Sequence, residues 1–151
     1  MKALTDRSSL PLAFAQQRLW FLDQFEHGSA NYNIPCAYRI RGSLNIGALR
    51  HALNEVVRRH ESLRTTFAMQ GDVPVQVIAP DLELAIPLLE ANDEAMLHNL
   101  IMAAANRTFD LQQGPLLTAQ IIRLAPEDHA CSLTNTTSSP MGGLWISFCG
   151  N

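Results

Sequence analysis

Residues 45–78 read NIGALRHALNEVVRRHESLRTTFAMQGDVPVQVI, and the fold class follows from the change of period within them. In the first half Ile46, Leu49, Leu53, Val56, Val57 and His60 fall on one stripe at helical spacing, with Asn45 as N-cap. Glu55 pairs with Arg58 and Arg59 at i,i+3 and i,i+4 on the exposed side. From Ser62 the period shortens, and two β-rich runs flank Gly71-Asp72, a hairpin signal. A one-sided helix followed by a hairpin demands a helical layer against a sheet.

The same reading extends in both directions. Upstream, Pro11 to Phe25 places Phe14, Leu19, Leu22 and Phe25 near helical spacing. HGSANYN is loop chemistry, and IPCAYRIRG alternates as a strand, with Ile34, Cys36, Tyr38 and Ile40 against Ala37, Arg39 and Arg41. Downstream, residues 92–106 form an apolar-periodic helix capped by Asn92 or Asp93, on Ala95, Met96, Leu100, Ile101 and Ala104. After Gly114-Pro115, LLTAQIIRL reads as a strand, Pro126-Glu127-Asp128 turns the chain, and HACSLT returns. The expected order is α, β, α, β, β, α, β, β, an α/β chain with helices packed on an antiparallel or mixed sheet and no internal repeat.

Composition narrows the function classes. The 151 residues are 47% hydrophobic and 17% charged, the ordinary balance of a globular chain. Mean hydropathy is +0.01, and no apolar run approaches the eighteen or so residues of a membrane span. MKALTDRSSLPLAF carries Asp6 and Arg7 and has no apolar core of a secretory signal. A net charge of −3 offers nothing to nucleic acid or to an acidic membrane, so a cytoplasmic chain is expected. Cys36, Cys131 and Cys149 have no metal or CxxC spacing and read as reduced, mostly buried thiols. His27, His51, His60, His98 and His129 form no HxxxH or HExxH pattern, so no metal site is expected.

Two strings carry a family resemblance. Ala15-Gln16-Gln17-Arg18-Leu19-Trp20-Phe21-Leu22 and Arg59-His60-Glu61-Ser62-Leu63-Arg64-Thr65-Thr66-Phe67 resemble the first two core motifs of condensation domains from nonribosomal peptide synthetases. The intervening NYNIPCAYRIRGSLNIGALRHALNEVVRRH and the later FDLQQGPLLTAQIIRL fit without a gap, so the resemblance covers residues 10 to 134. It implies the partial N-terminal lobe of a chloramphenicol-acetyltransferase-like fold, an α+β two-layer arrangement. In the family two lobes form a V with a tunnel between them, and carrier-bound thioesters enter from opposite faces. The acceptor amine attacks the donor thioester, so alignment and the handling of one proton carry the chemistry. No cofactor is bound directly. The implied partners are carrier protein domains, with their phosphopantetheine-tethered thioesters, and adjacent synthetase modules of peptide antibiotic biosynthesis, a branch of secondary metabolism. Nucleic acid and membrane are not among them.

The resemblance also assigns residues. Gln16, Arg18 and Trp20 belong to the first motif, and Arg59, His60, Glu61 and Arg64 to the second. Trp20 and Phe21 read as core residues of the first helix, and His60 and Glu61 as cap and ion-pair residues at a helix end. In the family an arginine of the second motif pairs with the aspartate of an HHxxxDG loop. Arg59 and Arg64 are the candidates, and Arg64 is expected to be buried, paired and structural rather than catalytic.

The pattern breaks after Thr134. The family continues into HHxxxDG, whereas this chain reads Asn135-Thr136-Thr137-Ser138-Ser139-Pro140-Met141-Gly142-Gly143-Leu144-Trp145, with no histidine after His129 and no charged residue after Asp128. The two histidines would fall at Thr136 and Thr137. Back-translation of residues 135–151, read one nucleotide earlier, permits HHIVSDGWSVDIFLR when synonymous codons are chosen freely. The expected organisation is a lead-in over 1–10, a partial lobe over 11–134 and an out-of-frame tail over 135–151, poorly anchored from 136 on. The reading is an inactive fragment, because threonine lacks the near-neutral proton acceptor of imidazole and an unpaired second-motif arginine would be costly. The alternatives are a non-catalytic half-lobe that binds a carrier protein and a fragment of a related epimerisation or acyltransferase domain. The AQQRLWFLDQ string disfavours the last.

Overall fold

The structure, a computed structural model, describes residues 9–26 and 30–136. The elements are β1 (Ser9–Pro11), α1 (Phe14–Glu26), a 3-10 turn at Ala30–Tyr32, β2 (Asn33–Arg41), α2 (Ile46–Arg59) and a 3-10 turn at Glu61–Arg64. They continue with β3 (Thr65–Gln70), β4 (Val73–Ile78), β5 (Leu88–Glu90), α3 (Glu94–Ala105), β6 (Leu117–Ala125) and β7 (Asp128–Thr136). Both foreseen caps form. Asn45 Oδ1 accepts the Ala48 N–H at 2.9 Å, and Asp93 Oδ1 accepts that of Met96 at 2.7 Å. Gly71, at φ +63, makes the β3–β4 turn. Gly114 also has positive φ, and a Cβ there would stand 2.7 Å from Thr66 Cγ2, so only glycine fits.

The strands form two sheets. One is antiparallel, in the order β1-β4-β3; the other is mixed, in the order β2-β7-β6-β5. In the second, β7 pairs antiparallel with β2 and β6, while β5 runs parallel to β6. The register Leu117↔Asn135, Ala119↔Leu133 and Ile121↔Cys131 puts these residues on one face. There Val57, Leu63, Leu84 and Ile86 join most of them in the main core, with Ile46, Leu49 and Leu53 of α2 packed against it. On the opposite face Ile122 and Ala130 meet Leu97 of α3. A third cluster gathers Leu12, Phe67, Phe109, Leu111 and Leu116 with Trp20 beside the small sheet.

One ion cluster ties the large sheet to α3. Arg39 donates to both carboxylate oxygens of Asp128, at 2.5 and 2.6 Å, and of Glu94, at 2.9 and 2.7 Å. The guanidinium holds both carboxyls below their usual range.

The structure departs from the sequence reading at several places. β1 and β5 have no counterpart in it, because each is only three residues long. Phe14, Phe21 and Phe25 are 86, 57 and 70% exposed, so Phe21 is not a core residue. The inward side of α1 runs instead through Gln16 and Trp20 in line with Leu12, one turn apart. Phe21 and Phe25 stack edge-to-face outside, with centroids 4.7 Å apart. Val56 is likewise exposed. Cys36, half-buried on the outer strand, is disulfide-bonded rather than reduced, whereas Cys131 is free and buried.

Phe67 is fully buried in the third cluster. Phe67→Ala is expected to lower unfolding free energy by about 3–5 kcal/mol in urea titration, with Met69→Ala on the same strand near neutral.

Candidate functional site

The resemblance places the reactive centre where β7 ends. β7 is one of the two inner strands of its sheet, and every residue from His129 to Thr136 is buried. Thr136, one of the two positions expected to carry histidine, is a ladder residue opposite Asn33, and its N–H donates to Leu116 O at 3.2 Å. Thr137 and the rest of the tail, including Trp145, lie outside the described residues.

The far end of β7 is polar although buried. Ser132 Oγ, Thr134 Oγ1 and both carboxamide atoms of Asn135 are enclosed with no hydrogen-bond partner among the described residues. Each such group costs about 1–3 kcal/mol. Ser132 and Thr134 share the α3 side of the sheet with Gln120 and Thr118. Gln120 Nε2 donates to Leu100 O at 3.1 Å on α3. A cavity of about 830 Å³ opens on that side. Ser132 lies on its floor, Ala103 and Ala104 of α3 on one wall, and Leu84, Ala85 and Pro87 on the other.

The two second-motif arginines behave differently. Arg59 is a surface residue that pairs with Glu55 at 2.7 Å. Arg64 is the half-buried one, but its partners are carbonyls: Ala79, Pro80 at 3.0 Å and Arg58 at 3.3 Å. These carbonyls take up the terminal N–H groups where the expectation had a carboxylate, while Nε is left without a partner. None of its hydrogen bonds reaches β7.

The remaining motif residues serve the scaffold. Gln16, buried, accepts the Ala13 N–H at 2.8 Å and reaches Gln76 on β4 at 3.3 Å. Arg18 is exposed. His60 caps α2, with backbone N–H and ring Nδ1 both on Val56 O, at 3.1 and 2.8 Å. Glu61 opens the 3-10 turn, and its carbonyl accepts the Thr65 hydroxyl at 2.8 Å. Burial pushes the Cys131 thiol up, away from nucleophilic use. No group of three or more metal-ligating side chains forms among the described residues.

This is a lobe of mixed α/β architecture in which an inner strand, β7, carries the first motif position. Comparison with known proteins places it. Residues 6–135 match the family model for the condensation domain. The chain is 45% identical over 130 residues to chondramide synthase cmdD of Chondromyces crocatus, covering 82% of this chain and 3% of that protein. It is 43% identical over 131 residues to malpibaldin synthetase of Mortierella alpina, covering 83% and 2%. The starter condensation domain of rhizomide synthetase RzmA superposes with TM-score 0.80 at 24% identity, over 86% of this chain and 34% of that one. The X-domain from teicoplanin biosynthesis gives 0.78 at 28%, over 91% and 30%. The chain belongs to the condensation-domain family of nonribosomal peptide synthetases, and it spans about a third of the solved domains it matches. Among the described residues no helix is long and apolar enough to cross a membrane.

Thr134→Val removes a buried hydroxyl with no partner, so the urea midpoint should rise, by about 1 kcal/mol of stability; a loss would show that the hydroxyl is paired. Glu55 is held at about 2 by Arg58 and Arg59, below its ordinary 4.5. A carboxyl depressed on folding adds stability that is complete above about pH 4.5 and is lost as the pH falls toward about 2. The urea midpoint should decline through that window, and Glu55→Gln should flatten this part of the pH profile.

Proposed function

We propose that this chain is a fragment of a condensation domain whose intact form joins carrier-bound aminoacyl or peptidyl thioesters, and that it makes no peptide bond itself. The observation that carries this reading is Thr136, buried in the β7 ladder where the resemblance calls for the first histidine of the motif. Thioester aminolysis needs an aligned amine and one proton acceptor or an equivalent orienting group near neutral pH, and a threonine hydroxyl does not titrate there. The shifted reading frame over residues 135–151 supports an origin by loss of one nucleotide near codon 135. On this reading the scaffold over 11–134 is inherited and the sequence after it is not. The parent's partners are carrier proteins bearing phosphopantetheine thioesters, together with neighbouring synthetase modules.

A second reading, a half-lobe that holds a carrier protein without catalysis, is favoured by the exposed aromatic stripe Phe14, Phe21 and Phe25 on α1.

One experiment separates them. The purified chain is mixed with loaded donor and acceptor carrier proteins, peptide is measured by mass spectrometry, and carrier binding by calorimetric titration. The expected result is no product and no binding heat. Product formation overturns the proposal, and binding without product selects the second reading. Resequencing the locus tests the origin: the shifted frame should encode HHxxxDG.

A further inference from the structure

Between β4 and β5 the chain runs from Ala79 to Pro87 with neither helix nor strand. Its burial nevertheless alternates: Leu84 and Ile86 enter the main core while Glu83, Ala85 and Pro87 point outward. That is the pattern of an extended strand without a strand beside it. Buried backbone groups need partners, and here side chains supply them.

The hydrogen bonds come from one side. Asn54 Oδ1 accepts the Leu84 N–H at 2.7 Å and Asn54 Nδ2 donates to Leu84 O at 3.3 Å, so one carboxamide takes both bonds that a neighbouring strand residue would take. One helical turn earlier, Arg50 Nε donates to Ile86 O at 2.9 Å. At the upper end Arg64 holds the Ala79 and Pro80 carbonyls, and the Ala79 N–H returns to Arg64 O at 3.0 Å. Arg64 also donates to Arg58 O, near the C-terminus of α2, where a cation is favoured. At the lower end Pro87 O accepts the Ile121 N–H at 2.9 Å, where β5 joins β6. The strap's backbone thus bonds to β6 at Pro87, while at Leu84 and Ile86 its backbone bonds run to α2. The space this leaves between strap, α3 and β6 is the 830 Å³ cavity.

We infer that Arg50, Asn54 and Arg64 are positioning residues that stitch the 79–87 strap to α2 and so set the wall of that cavity. A use of the cavity in condensation rests on the function proposed above, but the stitch itself is read from the strap and not from turnover. The test is hydrogen exchange followed by mass spectrometry on the full 151-residue chain. Asn54→Ala should raise exchange in peptides covering 80–87 by about tenfold, the loss expected for one hydrogen-bonded closure, and leave β6 and β7 unchanged. Asn54→Asp, which keeps the acceptor for the Leu84 N–H but sets an oxygen against its carbonyl, should fall between the two. Arg64→Ala should loosen the 79–80 end, and Arg64→Lys should restore part of it. Unchanged exchange in the strap of Asn54→Ala, or a rise of equal size in β6 and β7, overturns the inference. Should Arg64→Ala fail to fold, Arg50→Ala and Asn54→Ala decide the matter, since both replace a helix residue by the best helix former.

Discussion

β7 has a strand on each side and a covered face above and below, and the rest of the lobe is arranged around that enclosure. β2 and β6 take their register from it along nearly its whole length. α2 covers the face that carries Cys131 and Leu133, and α3 the face that carries Ala130. At its start Asp128 is locked to Arg39, which also holds the first turn of α3 through Glu94. At its far end the enclosure continues over residues that do not suit it. Ser132, Thr134 and Asn135 are as deeply buried as the aliphatics before them. A central strand is defined by hydrogen bonds to both neighbours, so the backbone stays in register even where the side chains gain little from burial. This is how a lobe can hold its shape up to the position where its chemistry should begin.

The parts of the fold legible in the sequence were those with a long, clean period. α2 and α3 announced themselves by stripe and cap, and the β3–β4 hairpin by Gly71-Asp72. α1 was located but turned wrongly, because its large apolar residues are not confined to one side: Phe14, Trp20, Phe21, Leu22 and Phe25 are more than one face can bury. What fixes its orientation is polar. Gln16 reaches Gln76 on β4, a contact sixty residues away that periodicity does not register. β5 and the strap before it were illegible for a related reason, since the partners of the strap are side chains of α2 rather than a strand with a pattern of its own.

The site was legible only as an interruption. Motif order pointed to the end of β7; of the earlier motif residues Trp20 and Phe67 share a cluster with Leu116, whose carbonyl accepts the Thr136 N–H, while the polar ones are engaged elsewhere. His60 closes α2, Arg59 sits on Glu55, and Arg64 is occupied with the strap. A sequence motif groups residues by their constancy in a family, and these serve the placement of elements rather than one reactive point. Arg64 illustrates the difference. The resemblance pairs it with an aspartate, but here three carbonyls take its terminal N–H groups, and a guanidinium with five donors can serve a strap and a helix end together.

That bears on whether another group can stand in for the missing imidazole. A substitute must lie at the end of β7, exchange a proton near neutral pH and face open space. Cys131 is on the same strand, but it points into the main core and burial disfavours its thiolate. His129 is enclosed near the opposite end of the strand, seven residues before Thr136. At about 3.3 Å per residue that is over 20 Å of strand, beyond the span of any side chain. His60 is fixed to a helix terminus by two contacts with the same carbonyl. The hydroxyls of Ser132 and Thr134 lie on the α3 side, Ser132 at the cavity, yet a hydroxyl there needs a base to activate it, and none of these groups is positioned as one. None of these groups is placed to take the part that the resemblance gives to the two histidines, which supports the proposed inactivity.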